Sequence, residues 1–271
     1  MNILDQIIEH KRREVANCRS SVPVKILEQA AFFSRPTVSL KESIRDNRKS
    51  GIIAEFKRRS PSKGVINGNA MPGQITWEYA EAGASALSVL TDQNFFGGSN
   101  DDLSLARRVN TCPILRKDFT IDEYQVVEAK AIGADAILLI AAVLSTEDSK
   151  RLASLAHSLS LEVLLEVHDE RELLENLTVG ADLIGVNNRN LKDFTVSTDI
   201  SKKLSEFIPD GVIKVSESGI STPEAILELI AYGFEGFLIG ENFMKQTDPG
   251  RAAADFIHSL TELRSNSKVR R

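Results

Sequence analysis

The sequence predicts an α/β fold, a (β/α)8 TIM barrel with an N-terminal helical extension. Three observations carry that expectation. Short apolar runs begin near Ile52, Leu87, Ile114, Ile137, Val163, Leu183, Ile213 and Phe237, and most are apolar on both alternating sets, as strands buried on both faces must be. Helical patterns fill the intervals, so that eight strand–helix units in about 220 residues match the size of a closed barrel. No GxGxxG follows the first run, so the dinucleotide fingerprint of an open, doubly wound sheet is missing. Polar, chemically capable residues sit at the ends of the first, third, fifth, sixth, seventh and eighth runs. An open sheet gathers its functional ends at one switch point, whereas a barrel turns all eight to one mouth.

Residues 1–48 precede the first strand. Ile3, Leu4, Ile7 and Ile8 have helical spacing, and Ile26, Leu27, Ala30 and Ala31 form a second apolar patch. These residues are expected to form a helical extension packed near the strands' carboxyl ends, where it shapes the entrance, with residues 49–271 forming the barrel. Thr120 and Glu123 have the spacing of a capping box before Tyr124, Val127 and Ala131, and Gly133 stops that helix. Thr222-Pro223 opens another that Gly233 ends, and Asp248-Pro249 opens the last. The last helix is expected to reach about Leu263, with the polar, basic stretch Ser265 to Arg271 fraying.

Composition narrows the function. Lys and Arg number 33 against 38 Asp and Glu, a net charge of −5, which argues against a nucleic-acid partner. Two cysteines, Cys18 and Cys112, cannot build a disulfide framework. The histidines fall in no HExxH or Cys/His cluster, so no metal is expected. The longest apolar run, Ala136 to Leu144, is far short of the roughly 20 residues of a membrane span. Acids and bases interrupt the apolar positions of MNILDQIIEHKRRE, unlike a secretory signal. The expectation is a cytoplasmic protein with neither a membrane nor a nucleic-acid partner.

Several strand ends carry candidate chemistry. Glu55 and Lys57 lie two apart and share a face. Charge at the end of a buried strand is costly unless paired or functional, so they form either a salt bridge closing the barrel top or a charge pair in the mouth. Arg58, Arg59 and Lys63 make a basic loop suited to steering and covering an anionic substrate, with Ser60, Pro61 and Gly64 as hinges and Ser60 within reach of the substrate. Phe95 and Phe96, beside Gly97 and Gly98, are either core or the wall of an aromatic pocket. Lys117 ends the third run and suits a general acid, a Schiff-base amine or an anion anchor; Phe119 offers a ring wall. Glu166 ends an apolar stretch and pairs naturally with a lysine for proton transfer, while His168 is expected to face outward. Asn187 and Arg189 share a face and suit a carboxylate; Asn188 and Asn190 read as turn residues. Ser218-Gly219 and Gly240 permit close backbone approach to an oxyanion after strands seven and eight, where this architecture commonly binds phosphate.

Taken in order, AEFKRRSPSKG, LTDQNFFGGS, PILRKDF, LLEVHDE, GVNNRNL, VSESGI and GFLIGENFM resemble the indole-3-glycerol phosphate synthase family over nearly the whole chain. The resemblance implies a cofactor-free enzyme of tryptophan biosynthesis acting on a small anionic phosphate, 1-(2-carboxyphenylamino)-1-deoxyribulose 5-phosphate. It implies Lys117 as general acid, Glu166 as base or acid in the later proton transfers, and Lys57 beside Glu55 as a second proton donor and anchor. It implies Asn187 and Arg189 at the anthranilate side with Phe96 and Phe119 as ring neighbours, Glu217 and Ser218 at the active-site rim, and Ser218, Gly219 and Gly240 as the phosphate cradle. Glu241 departs from the small hydroxyl residue of some relatives; if the cradle is as implied, its N–H faces the phosphate and its carboxylate turns away. Two rivals remain: a Schiff-base aldolase using Lys117 on a sugar phosphate, and a non-catalytic phosphate-binding barrel.

Overall fold

In this computed structural model residues 3–190 and 194–269 are described, with side chains to Asn266. The eight apolar runs become eight parallel strands: β1 (Ile52–Phe56), β2 (Ala86–Leu90), β3 (Ile114–Lys117), β4 (Ala136–Ile140), β5 (Glu162–Val167), β6 (Leu183–Asn187), β7 (Ile213–Glu217) and β8 (Gly236–Ile239). They close into a barrel in sequence order. Closure is made by β1, whose Ile53 pairs with Leu238 of β8 on one side and Ala86 of β2 on the other.

The pleat sorts the side chains into two cores. On β1, Ile52, Ala54 and Phe56 face the surrounding helices, whereas Ile53 joins the inner cluster with Ala86, Leu115, Ala136, Leu138, Leu164, Leu183, Ile213, Val215 and Leu238. Because the side-chain period is two, the next inward positions along the strands are Glu55, Lys117, Glu166, Asn187, Glu217 and Gly240. An apolar plug at the amino-terminal end and a polar mouth at the carboxyl end therefore lie on the same inward rows.

The extension serves both ends of that axis. Helix α1 (Ile3–Ser21) buries Ile7, Lys11 and Val15. Its Ile3, Leu4 and Ile7 line the mouth, as expected for an element that shapes the entrance. The buried Lys11 ammonium lies 3.0 Å from Asp92, after β2, and 2.9 Å from Asp118, after β3. Helix α2 (Leu40–Arg45) lies at the opposite end, which the sequence reading did not foresee. Its Leu40 and Ile44 join the inner cluster, and Glu162, which opens β5, accepts from the N–H groups of Leu40 and Lys41 at 2.7 and 3.0 Å. Of the second apolar patch, Leu27 is buried with Val15, Tyr124 and Ala131, but Ile26 is exposed.

Along the outer layer run α3 (Pro72–Glu81), α4 (Asn100–Val109), α5 (Glu123–Ile132), α6 (Thr146–Ser158), α7 (Glu170–Asn176) and α8 (Asp199–Leu204). Then come α9 (Pro223–Ala231) and α10 (Pro249–Val269). The cap of α5 is Asp122, which accepts from Tyr124 N, and not Thr120; Thr120 is buried at the strand end, and the aspartate lies next to the first helical residue. Gly133 stops α5 in the left-handed conformation, and Thr222 caps α9 as expected. Helix α10 runs on past Leu263, since no glycine or proline follows Gly250; the last two residues of the expected frayed tail lie outside the described residues. Among the described residues no helix is long and apolar enough to cross a membrane.

The packing of α2 makes a quantitative expectation. Leu40→Ala removes a fully buried side chain from the barrel floor, and such truncations cost about 2–5 kcal/mol. Equilibrium urea unfolding should show that loss. A variant within experimental error of the parent would mean that α2 is dispensable to the floor.

Candidate active site

The inward rows end in a cavity of about 610 Å³ at the carboxyl ends of the strands. Thirteen of the candidates named above line it: Glu55, Lys57, Ser60, Phe96, Lys117, Phe119, Glu166, Asn187, Arg189, Glu217, Ser218, Gly219 and Gly240, whereas Arg58, Arg59 and Phe95 do not. Parity accounts for the strand residues, and the loops bring in the rest. Strands two and four, which supply no charged group at their ends, contribute the apolar wall of Leu90, Leu138 and Ile140.

Lys117 is the centre of charge. Its Nζ donates to Glu166 Oε2 at 2.7 Å and lies 3.5 Å from Glu217 Oε2. Burial alone would lower the lysine's pKa, but Glu166, Glu217 and Glu55 outweigh it and hold the ammonium well above its ordinary range. Burial would likewise raise Glu166. Lys117 and His168 reverse that and hold its carboxyl below the usual carboxylate range. Asn187 Nδ2 donates to Glu166 Oε1 at 3.2 Å, fixing the carboxylate's second oxygen. Glu217 goes the other way: burial, only partly offset by Lys117 and reinforced by Glu166 and Glu55, pushes it up to about 8. The cluster thus sets an ammonium and a carboxylate held below the usual range beside an acid that holds its proton above it. Two neighbouring acids driven apart in this manner are suited to opposite proton-transfer roles.

Lys57 Nζ donates to Glu55 Oε1 at 2.6 Å, so the pair is both a salt bridge and part of the cavity lining. On one wall the rings of Phe96 and Phe119 lie 6.0 Å apart, tilted by 42°. Phe95 is not in that wall; it meets His10 of α1 edge-on. The buried Asp92 that pairs with Lys11 also accepts from the N–H groups of Phe95 and Phe96. Lys11 thereby ties α1 to the turn that carries the cavity ring.

At the other end Ser218 and Gly219 take left-handed backbone, with φ of +66° and +76°. For serine this conformation is strained. It is held by Asn188, whose buried amide donates to the Ser218 carbonyl and to Ser216 Oγ at 3.0 and 2.9 Å and accepts from Ser201. Asn188 is therefore a fully engaged support and not the loose turn residue its Asn-rich context suggested. A Cβ on Gly240 would lie 2.4 Å from Glu55 Oε1, so a larger residue there would displace Glu55 before it met a ligand. The Glu241 carboxylate faces Arg189 at 3.5 Å and Lys63 at 3.7 Å across the cavity rim.

Two expectations are corrected. Arg58 does not belong to a substrate-facing basic loop: its guanidinium grips Asp102 of α4 and the Ala70 and Gly97 carbonyls over the Phe56 ring. It anchors the loop, leaving the cavity rim to Lys63. His168 does not face outward. Just past the end of β5 and spaced two from Glu166, it turns to the same side, its side chain only 10% exposed and Nε2 3.3 Å from Glu166 Oε1.

The sequence profile of the family described as indole-3-glycerol phosphate synthase matches residues 4–256. The chain belongs to the indole-3-glycerol phosphate synthase family. An indole-3-glycerol phosphate synthase of Bacteroides thetaiotaomicron is 48% identical over 96% of this chain and 99% of its own length. Those of a Polaromonas species and of Carboxydothermus hydrogenoformans are 45% and 40% identical, over 93% and 92% of this chain and 97% of each relative. Among solved structures, thiamine phosphate pyrophosphorylase from Pyrococcus furiosus superposes with a TM-score of 0.58 at 18% identity, over 79% of this chain and 98% of that one, a likeness of fold alone.

The raised Glu217 carboxyl makes a prediction with a fixed sign. A carboxyl whose folded pKa is raised binds its proton longer in the folded state, so it destabilises the fold progressively as pH rises from its unfolded value, about 4.3, towards 8. Glu217→Gln removes that burden. Its stability relative to the parent should therefore rise between pH 5 and pH 8, as measured by denaturant unfolding; a difference independent of pH would mean that Glu217 ionises normally.

Proposed function

We infer that this member of the indole-3-glycerol phosphate synthase family converts 1-(2-carboxyphenylamino)-1-deoxyribulose 5-phosphate to indole-3-glycerol phosphate, carbon dioxide and water. The observation that carries the mechanism is the Lys117 ammonium, held charged between Glu166 and Glu217 on the inner face of the cavity. In the first step the ring carbon bearing the carboxylate attacks the substrate ketone. Lys117 gives its proton to the developing alkoxide, which becomes a hydroxyl. Loss of carbon dioxide returns its bonding electrons to the ring and restores aromaticity. Dehydration then removes that hydroxyl as water and a proton from the adjacent methylene carbon, forming the second double bond of the indole.

Glu166, ionised and fixed by Lys117 and Asn187, is the carboxylate suited to accept the methylene proton. Glu217, still protonated near neutrality, and Lys57 are the remaining donors for the departing hydroxyl. Phe96 and Phe119 offer a wall for the anthranilate ring, and Asn187 and Arg189 polar contacts beside it. Ser60, Ser218, Gly219 and Gly240 suit the phosphate end. A Schiff-base aldolase is disfavoured on physical grounds: imine formation needs a neutral amine, and the surrounding acids, Glu166 foremost, keep Lys117 charged. Substrate and product are both phosphorylated and cannot diffuse through a bilayer, which supports a cytoplasmic setting.

The test is the appearance of indole fluorescence when the purified chain meets this substrate. Lys117→Met should fold normally and lose about 10²–10⁴ in kcat, the usual loss on removing a general acid. Glu166→Gln should lower kcat with KM little changed. Near-parental turnover in Lys117→Met would remove the lysine from the mechanism.

A further inference from the structure

Glu166 has an unassigned neighbour. Its Oε2 faces Lys117 and its Oε1 receives Asn187, and behind Oε1 stands the His168 ring, Nε2 at 3.3 Å. The far side of that ring is occupied too. Nδ1 lies 3.2 Å from Glu172 Oε2, and the same oxygen accepts the His168 backbone N–H at 2.8 Å. Glu172 is fixed in turn, because Asp169 caps α7 by accepting from Glu172 N. The first turn of α7 therefore aims a carboxylate back at the imidazole, and the histidine lies between two acids, only 10% of its side chain exposed.

We propose that His168 is a positioning residue, an imidazolium clamped by Glu172 that holds the Glu166 carboxylate ionised and oriented for proton transfer. A neutral imidazole has only one N–H and would leave one of the two acids facing a lone pair. The charged ring turns one N–H to Glu172 at hydrogen-bond distance and the other towards Glu166, a close ion pair at 3.3 Å that is not aligned as a hydrogen bond. Consistent with this geometry, burial opposes the charge but Glu166 and Glu172 outweigh it, pushing His168 up to about 10. Among the described residues the titratable groups facing the ring are Glu166 from the end of β5 and Glu172 from α7; β6 presents the uncharged Asn187 beside Glu166, β4 presents Ile140 beside Glu166, and Lys117 of β3 lies on the other oxygen of Glu166. Lys117 is both Glu166's partner and the group that must release a proton during the reaction. A second, permanent cation keeps Glu166 ionised while the lysine changes charge.

The proposal rests on Glu166 being the proton-transfer carboxylate of the reaction inferred above. Its test has a part independent of turnover. With ¹⁵N-labelled histidine, both His168 ring nitrogens should be protonated at pH 7.5, where an ordinary histidine is neutral. In Glu172→Gln, which leaves the ring in place, deprotonation should move down into the measurable range. In His168→Gln, which retains a donor but no charge, the acid limb of the kcat profile should move to higher pH by roughly 1–3 units, the usual effect of removing an adjacent opposite charge. KM should stay within about twofold. A neutral ring at pH 7.5, or a kcat–pH profile in His168→Gln that superposes on the parent, overturns the proposal. If His168→Gln fails to fold, the kcat profile of Glu172→Gln decides, with the same two outcomes. A parent chain without synthase activity would instead overturn the inferred reaction, whatever charge the ring carries.

Discussion

A cluster of charges inside a protein needs a rigid surround, and here barrel closure provides it. Because β1 pairs with both β8 and β2, every strand has neighbours on both edges and all eight carboxyl ends face one side. The apolar floor of Ile53, Leu115, Leu164, Ile213 and Leu238 fixes the pleat from below. Glu55, Lys117, Glu166 and Glu217 then follow on the same rows, two residues further along or two steps of two. Lys117 and Glu166 lie 49 residues apart in sequence and 2.7 Å apart in space because each strand end has one permitted side.

That geometry explains the divergent ionisation of two similar acids. Glu166 and Glu217 are both buried and both approach Lys117. Glu166 lies closer and has Asn187 and His168 on its other oxygen. Glu217 lies 0.8 Å further from the ammonium and feels two neighbouring carboxylates. One lysine cannot keep both ionised at neutral pH, and the better-placed acid keeps the charge. Distance and hydrogen bonding set the opposite directions, since the residue type is the same.

The strands and the cavity-lining residues were legible because the signal is local: apolar runs set the strands and a period of two sets the side of each polar residue. The same period places His168 beside Glu166, and this was the information missed when the histidine was read as outward. Other features depended on partners far along the chain. Arg58 looked like a substrate-steering cation because Asp102, 44 residues on, could not be assigned to it from sequence. Asn188 looked like a turn residue until Ser201, Ser216 and Ser218 surrounded it. The extension read as one element because apolar spacing reports that a helix packs, not where. Its α1 spans the mouth through Lys11 and its α2 seals the floor through Leu40.

Protonation of Glu217 also affects the field that a ligand meets. Among the described residues five acids line the cavity, Glu55, Asp118, Glu166, Glu217 and Glu241, against five cations, Lys57, Lys63, Lys117, Arg189 and Lys245. Fully ionised, the lining would balance. With Glu217 neutral the excess is positive, and low-dielectric walls focus such a field on an anion. Lys11 adds to it from behind the lining by neutralising Asp118 at 2.9 Å. An anionic ligand is therefore drawn to a cavity that still contains the ionised Glu166. Because Glu217 holds its proton above the usual carboxylate range, that excess shrinks only as the pH rises beyond that range.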